Sequence, residues 1–314
     1  MTESALALTT HDYGVFGLKI RSELELPELY QDRSAGTPDV VISLGHAGAP
    51  ADRDVGLHVE GNALVLVVKG IARYRITGGT SIIVEPDSDV PERNVRLFLL
   101  GSAFGALLHQ RRLLPLHANA VEIDGRAFAF MGPSGAGKST LAAWFHRQGD
   151  SVIADDVCVV GFGGDGRSFA APGLPRLRLW AEALELMGGD TANYDRSYVG
   201  NDALTEKFDV PMGEAATARS NIELGALYLL NRGDEFSIAR LGGMEAAEAV
   251  IANTYRGSYL AAVNGQENHW QSAIKLVRDK PVYRVSREWD LAKLDDQCRR
   301  LRDHATSAVS PVQP

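Results

Sequence analysis

The stretch GPSGAGKST at residues 132–140 fits G-x-x-x-x-G-K-[ST] without a gap. The run before it, Ala127 to Met131, reads as a buried strand, and beyond it Leu141, Trp144 and Phe145 fall at i, i+3 and i+4, the spacing of one helix face. Gly149 is placed to end that helix. A strand feeding a glycine-rich loop that opens a helix suits phosphate: glycine lets successive N–H groups turn inward, and the helix adds its positive N-terminal end. On this reading Gly132, Pro133, Ser134, Gly135, Ala136, Gly137, Lys138, Ser139 and Thr140 bind the nucleotide. Lys138 supplies a point charge for the β- and γ-phosphates, and the Ser139 hydroxyl completes a Mg²⁺ shell. ATP with Mg²⁺ is the expected ligand. ATPases, GTPases and transporters share such a loop, but no NKxD-like guanine reader and no transporter signature follows it here.

Working outward, LLPLHANAVEIDGRAFAFM reads as two strands around the turn Asp124-Gly125, a favoured hairpin connection. Arg93 to Gln110 reads as a helix. Its apolar run Leu97 to Leu108 is too short to span a bilayer and carries two glycines, so it is expected to be buried in protein. Residues 1–92 read as a β-rich N-terminal unit, with strands at DVVISL (39–44), ALVLVV (63–68), RYRIT (73–77) and SIIVEP after Gly78-Gly79. After the loop, SVIAD reads as a strand, RLRLWAEALELMG as a helix, LGALYLL as a buried strand, and 243–255 and 290–303 as helices. The expected fold is α/β: a P-loop domain over 93–304 behind the β-rich unit, with 305–314 as a disordered tail.

The 314 residues are 45% hydrophobic and 23% charged, enough for a large core without metal or disulfide staples. Net charge is −8 and no Lys/Arg run exceeds a pair, which argues against a nucleic-acid binder. Cys158 and Cys298 lack any CxxC spacing. MTESALALTTHDYG has neither a basic nor an apolar signal region, so the expectation is a cytoplasmic protein with no membrane partner. The sequence is compatible with a homo-oligomer as with a monomer.

Two features stand near the loop: His117 and the pair Asp155-Asp156. Adjacent side chains of a regular strand point to opposite faces, so both carboxylates reach one phosphate only if the strand ends between them. One then holds Mg²⁺ or its water while the other accepts a hydroxyl proton. The competing reading is that one Asp caps the next segment, and that His117 is a satisfied core histidine.

Taken together, LHANAV…AFMGPSGAGKSTLAAWFHRQGDSVIADDV resembles the catalytic domain of bacterial HPr kinase/phosphorylase, in which a histidine, a P-loop and an Asp-Asp pair occur in this order at similar spacing. The resemblance implies a P-loop kinase domain of the HPr kinase C-terminal type. It makes His117 the catalytic histidine, Lys138 the loop lysine, Ser139 the Mg²⁺-binding serine and Asp156 the proton acceptor. It also implies a catalytic arginine, and VPMGEAATARSNIELGALYLL nominates Arg219, with a solvated loop arginine as the alternative. The family's glutamate metal ligand should fall near FAAPGLPRLRLW, where no acidic residue precedes Glu182; either Asp155 takes that role or the second-ligand geometry differs. PDVVISL, LLPLHANAV and PGLPRLRLW look most like the HPr-kinase-related kinases of peptide-tailoring gene clusters, including those that phosphorylate lasso-peptide precursors. That resemblance implies transfer to a serine of a peptide or small protein. An HPr-like protein or a small molecule as acceptor, and a non-catalytic nucleotide sensor, are the alternatives. Arg176 and Arg178 stand either beside a peptide groove or on the solvated face of the expected helix.

Overall fold

The computed structural model describes residues 9–48, 54–200, 206–213 and 220–309. Among them, eight strands form the N-terminal sheet: β1 (His11–Val15), β2 (Leu18–Ser22), β3 (Tyr30–Gln31), β4 (Val40–Leu44), β5 (Gly56–Glu60), β6 (Ala63–Val68), β7 (Ala72–Thr77) and β8 (Ser81–Pro86). Their order is β3-β1-β2-β4-β8-β7-β6-β5. Period-two burial sets the register: Ala72, Tyr74 and Ile76 of β7 and Ile82 and Val84 of β8 point inward. Gly78 and Gly79, both at positive φ, close the β7–β8 hairpin.

The expected helix over 93–110 is α1 (Glu92–Phe98) and α2 (Phe104–Gln110), joined through a π-helical turn at Leu99–Ala103. Leu99, Phe104, Leu107 and Leu108 pack onto the N-terminal sheet. The same core takes in Val157, Val159, Leu174 and Tyr255 from farther along the chain. At the tight turn after β1, Phe16 N–H donates to Pro172 O at 2.6 Å. The core is therefore continuous across residue 92.

The second half is mixed α/β. Its strands are β9 (Leu114–Leu116), β10 (Ala118–Ile123), β11 (Arg126–Met131), β12 (Ser151–Ala154), β13 (Cys158–Phe162), β14 (Ser168–Ala171), β15 (Arg176–Trp180), β16 (Asp195–Arg196), β17 (Lys207–Pro211), β18 (Ile222–Arg232), β19 (Ser237–Arg240) and β20 (Val282–Arg287). Its helices are α3 (Lys138–Arg147), α4 (Ala181–Leu186), α5 (Gly243–Ala252), α6 (Gln266–Asp279) and α7 (Leu294–Val309). Asp124 and Gly125, both at positive φ, join β10 to β11 as expected. Strand β11 runs parallel to β18, and β18 parallel to β20. Strand β15 forms a separate small sheet with β17 and β16.

Two expectations change, and one helix is new. The helix expected from Arg176 begins only at Ala181, because Arg176–Trp180 pairs with β17 as a strand. Helix α6, not foreseen, buries only His269, Ala273 and Leu276 on its inner stripe. The tail expected from 305 is helical through Val309, and Ala305 is fully buried in the core with Leu301 and Cys298; residues 310–314 lie outside the described residues. Among the described residues, no helix is long and apolar enough to cross a membrane.

Candidate active site

Strand β11 is buried from Ala127 to Met131 and delivers the chain into the glycine-rich loop. Gly137 caps α3 at φ 79°, a left-handed conformation that costs a residue with a Cβ about 1–2 kcal/mol. A Cβ there would also stand 2.6 Å from Arg287 Nη2. Gly137→Ala is therefore expected to lower the midpoint of chemical denaturation and weaken phosphate binding together, as checked by denaturant titration and calorimetry.

Lys138, only 8% exposed, folds its ammonium back over the loop, donating to Gly132 O at 2.8 Å and Pro133 O at 3.0 Å. Asn119 Nδ2 donates to Lys138 O and ties β10 to the first turn of α3. Burial pushes the Lys138 ammonium down to about 8, while Asp156 and Asp155 favour its charged form. A bound polyphosphate favours the ammonium further, so above about pH 8 binding must take up a proton. Affinity is then expected to fall as pH rises past 8, by at most about tenfold per unit. The slope should vanish in Lys138→Arg, whose guanidinium does not titrate there; calorimetric titrations at several pH values check both.

Strand β12 stops at Ala154, just before both carboxylates, and Asp156 takes φ 71°, so the two side chains escape strict alternation. Asp155 accepts from Ser139 Oγ at 2.8 Å and from the Arg178 backbone N–H at 2.7 Å. Burial raises its pKa, and Asp156 adds to the effect. A carboxylate beside a serine hydroxyl at a helix head is a donor set for a hard, oxygen-seeking cation, which the buried charge would favour. Among the described residues, no cluster of three or more His, Cys, Asp or Glu could hold a metal alone, so Mg²⁺ would be completed by phosphate oxygens.

Asp156 faces a different set. Its Oδ1 lies 3.4 Å from His117 Nδ1 and its Oδ2 lies 3.5 Å from Arg178 Nη1. Burial pushes this carboxyl up, but Arg178, His117, Lys207 and Arg176 together outweigh it and hold the pKa below the ordinary value. His117 Nδ1 also lies 3.1 Å from Asp156 O, so two acceptors assign the ring hydrogen to Nδ1. Burial and the nearby Lys138 charge lower its pKa, which leaves the imidazole neutral near pH 7.

The structure brings His117, Lys138, Ser139, Asp155 and Asp156 together. Arg219 lies outside the described residues. The arginines of β15 separate: Arg176 is buried in an ion pair with Asp209, whereas Arg178 reaches the cleft beside Asp156. Neither is on a solvated helix face. Lys207, Arg287 and Trp289 also line the loop's cleft and were not singled out from sequence. Lys207 is brought in by its register opposite Trp180, and Arg287 by Nη2 donating to Ala136 O at 2.6 Å. Lys207 comes from β17 and Arg287 and Trp289 from the end of β20 and just beyond it, and no local sequence pattern ties either segment to the loop.

Two clefts meet here. The first, about 240 Å³, is lined by Ser134 to Thr140. The second, about 580 Å³, runs from the start of the loop, Gly132 to Ser134, to Gly101, Ser102, Tyr255 and Arg256. His117, Asp156, Arg178 and Lys207 line both. Glycines 101 and 105 allow the helical segment to approach Tyr255 and Arg256 closely: a Cβ at Gly105 would lie 3.0 Å from Arg256 Cγ.

No protein-family model matches the chain, and no curated protein matches it in sequence. Among solved structures the chain is similar to the Hpr(Ser) kinase/phosphatase from Coxiella burnetii, with a TM-score of 0.33 and 12% identity over 62% of this chain and 97% of that one. So loose a superposition says nothing of chemistry, which rests on the residues above.

Proposed function

We propose that this chain is an ATP-dependent kinase that transfers the γ-phosphoryl group to a serine hydroxyl of a peptide or small protein. A lasso-peptide precursor is the acceptor that the sequence resemblance implies. The observation that carries the reading is the position of Asp156, a carboxylate shared by two clefts: one walled by Ser134 to Thr140 of the glycine loop, the other reaching from the start of that loop, Gly132 to Ser134, to Gly101, Ser102, Tyr255 and Arg256. A nucleotide sensor needs the phosphate cradle but has no use for a carboxylate facing a second cleft.

In this reading the triphosphate occupies the loop, where Lys138 neutralises charge on the β- and γ-phosphates. The acceptor enters by the second cleft. Its hydroxyl oxygen forms a bond to the γ-phosphorus while the bond from that phosphorus to the β–γ bridging oxygen breaks and ADP leaves. The hydroxyl proton passes to Asp156. A carboxylate of low basicity suits a loose transition state in which the proton is lost late. His117 orients the Asp156 carboxylate, and Arg178 and Lys207 face the charge that spreads over the equatorial oxygens. Mg²⁺, held by Ser139 and Asp155, would supply further charge neutralisation at the phosphates.

The test incubates the protein with Mg²⁺ and γ-labelled ATP against the short peptides encoded beside its gene, their Ser→Ala variants, an HPr-like protein and free hydroxylated metabolites. Mass spectrometry then locates the phosphoryl group. The expected result is a serine-dependent product on a peptide. Label confined to metabolites overturns the peptide acceptor, label confined to the HPr-like protein moves the chain to the regulatory branch, and binding without any transfer favours the sensor.

A further inference from the structure

We infer that the cleft carries a purine-stacking subsite built from Trp180 and Trp289, which holds the base of the nucleotide whose phosphates lie in the glycine loop. The inference rests on the proposal that the loop binds a nucleoside triphosphate. Trp180 ends β15 and Trp289 follows β20, two segments distant in sequence that line one cleft with Ser134 to Thr140. Both indoles stay open to solvent, at 42% and 39% exposure, and Leu291 beside them in the same cleft is 44% exposed. Trp144, by contrast, is buried against α7 with its Nε1–H donating to Asp295 Oδ1 at 2.9 Å. Large apolar side chains left exposed around a concave site are what a planar aromatic ligand would cover.

Each indole is also held from one side by a cation: Lys207 Nζ lies 5.1 Å from the Trp180 ring centroid, and the Arg232 guanidinium carbon 5.9 Å from that of Trp289. A cation over one face fixes the ring and leaves the other face for a base. Lys207 borders the phosphate region too, so it links the stacking platform to the reacting end. Arg287, two residues before Trp289, is anchored to the loop at Ala136 O, which keeps that indole in step with the phosphate cradle. Stacking reads π-surface rather than a hydrogen-bond pattern. The subsite therefore favours purines over pyrimidines and distinguishes ATP from GTP weakly.

The experiment measures binding of ATP and of inorganic tripolyphosphate by calorimetry to the wild type, Trp180→Ala, Trp289→Ala and the matching Phe variants. The Kd for ATP should rise roughly five- to hundredfold in each Ala variant and recover largely in the Phe variants, with tripolyphosphate unchanged throughout. ATP binding that ignores both substitutions overturns the stacking subsite and leaves the kinase reading standing. Parallel loss of ATP and tripolyphosphate also overturns it, because the indoles would then only be supporting the loop. Failure of the wild type to bind either ligand removes the kinase reading and the subsite with it.

Discussion

Asp156→Asn is expected to keep nucleotide affinity and lose about 10²–10⁴-fold in phosphoryl transfer, the usual worth of a positioned base. The substitution is clean for a structural reason. Asp156 sits at φ 71°, and Asn is among the few residues that tolerate the left-handed region, so the backbone need not move. What disappears is the negative charge between His117 and Arg178. Single-turnover rates and nucleotide titrations measure the two quantities separately. Asp155→Asn should behave differently: its partners Ser139 and the Arg178 N–H remain within reach, but the Mg²⁺ concentration needed for half-maximal rate should rise. If the two variants exchange these phenotypes, the roles of base and metal ligand are reversed.

Arg178→Ala is expected to lower the transfer rate by about 10³–10⁵-fold with little change in nucleotide affinity, the range seen when an arginine facing a transferring phosphoryl group is lost. The guanidinium lines both clefts and stands 3.5 Å from Asp156 Oδ2 and 3.7 Å from Asp209 Oδ1, so two carboxylates hold it in place. Its backbone N–H still reaches Asp155 after substitution, which keeps the metal side of the site intact. Arg178→Lys should recover only part of the rate, because a point charge does not bridge two oxygens as the planar fork does. A variant retaining more than about a tenth of the rate has lost less than about 1.4 kcal/mol. That outcome would assign the phosphoryl contact elsewhere, with Arg219→Ala the next variant to measure.

The loop, its strand and its helix were legible because each is a local pattern: an apolar run, a spaced set of glycines, then a helical stripe within about twenty residues. The hairpins at Gly78-Gly79 and Asp124-Gly125 were legible for the same reason, since only residues tolerant of positive φ fit such turns. Arg176–Trp180 misled because its apolar residues run directly into the helix former AEALEL, and the choice of strand is made by β17, some thirty residues downstream. That partner is invisible to local periodicity. Lys207, Arg287 and Trp289 were missed for a related reason: Lys207 comes from β17 and the other two from the end of β20 and just beyond it, and their neighbourhood with the loop exists only after folding. Helix α6 was missed because its buried stripe is narrow, three residues at i, i+4 and i+7.

Val157, the residue directly after Asp156, is 2% exposed and belongs to the same core as Tyr13, Ile20 and Ile42 of the N-terminal sheet. The backbone that aims the proton acceptor is thus clamped from behind by side chains over a hundred residues earlier. The Asp156 turn is therefore expected to open together with the strands of the N-terminal sheet that share this core, rather than independently of them. Amides of β13, which continues from Val157 and is buried from Cys158 to Gly161, should exchange with solvent at the rate of the sheet's own opening. Loosening the sheet would let the acceptor carboxylate wander long before the phosphate loop itself came apart.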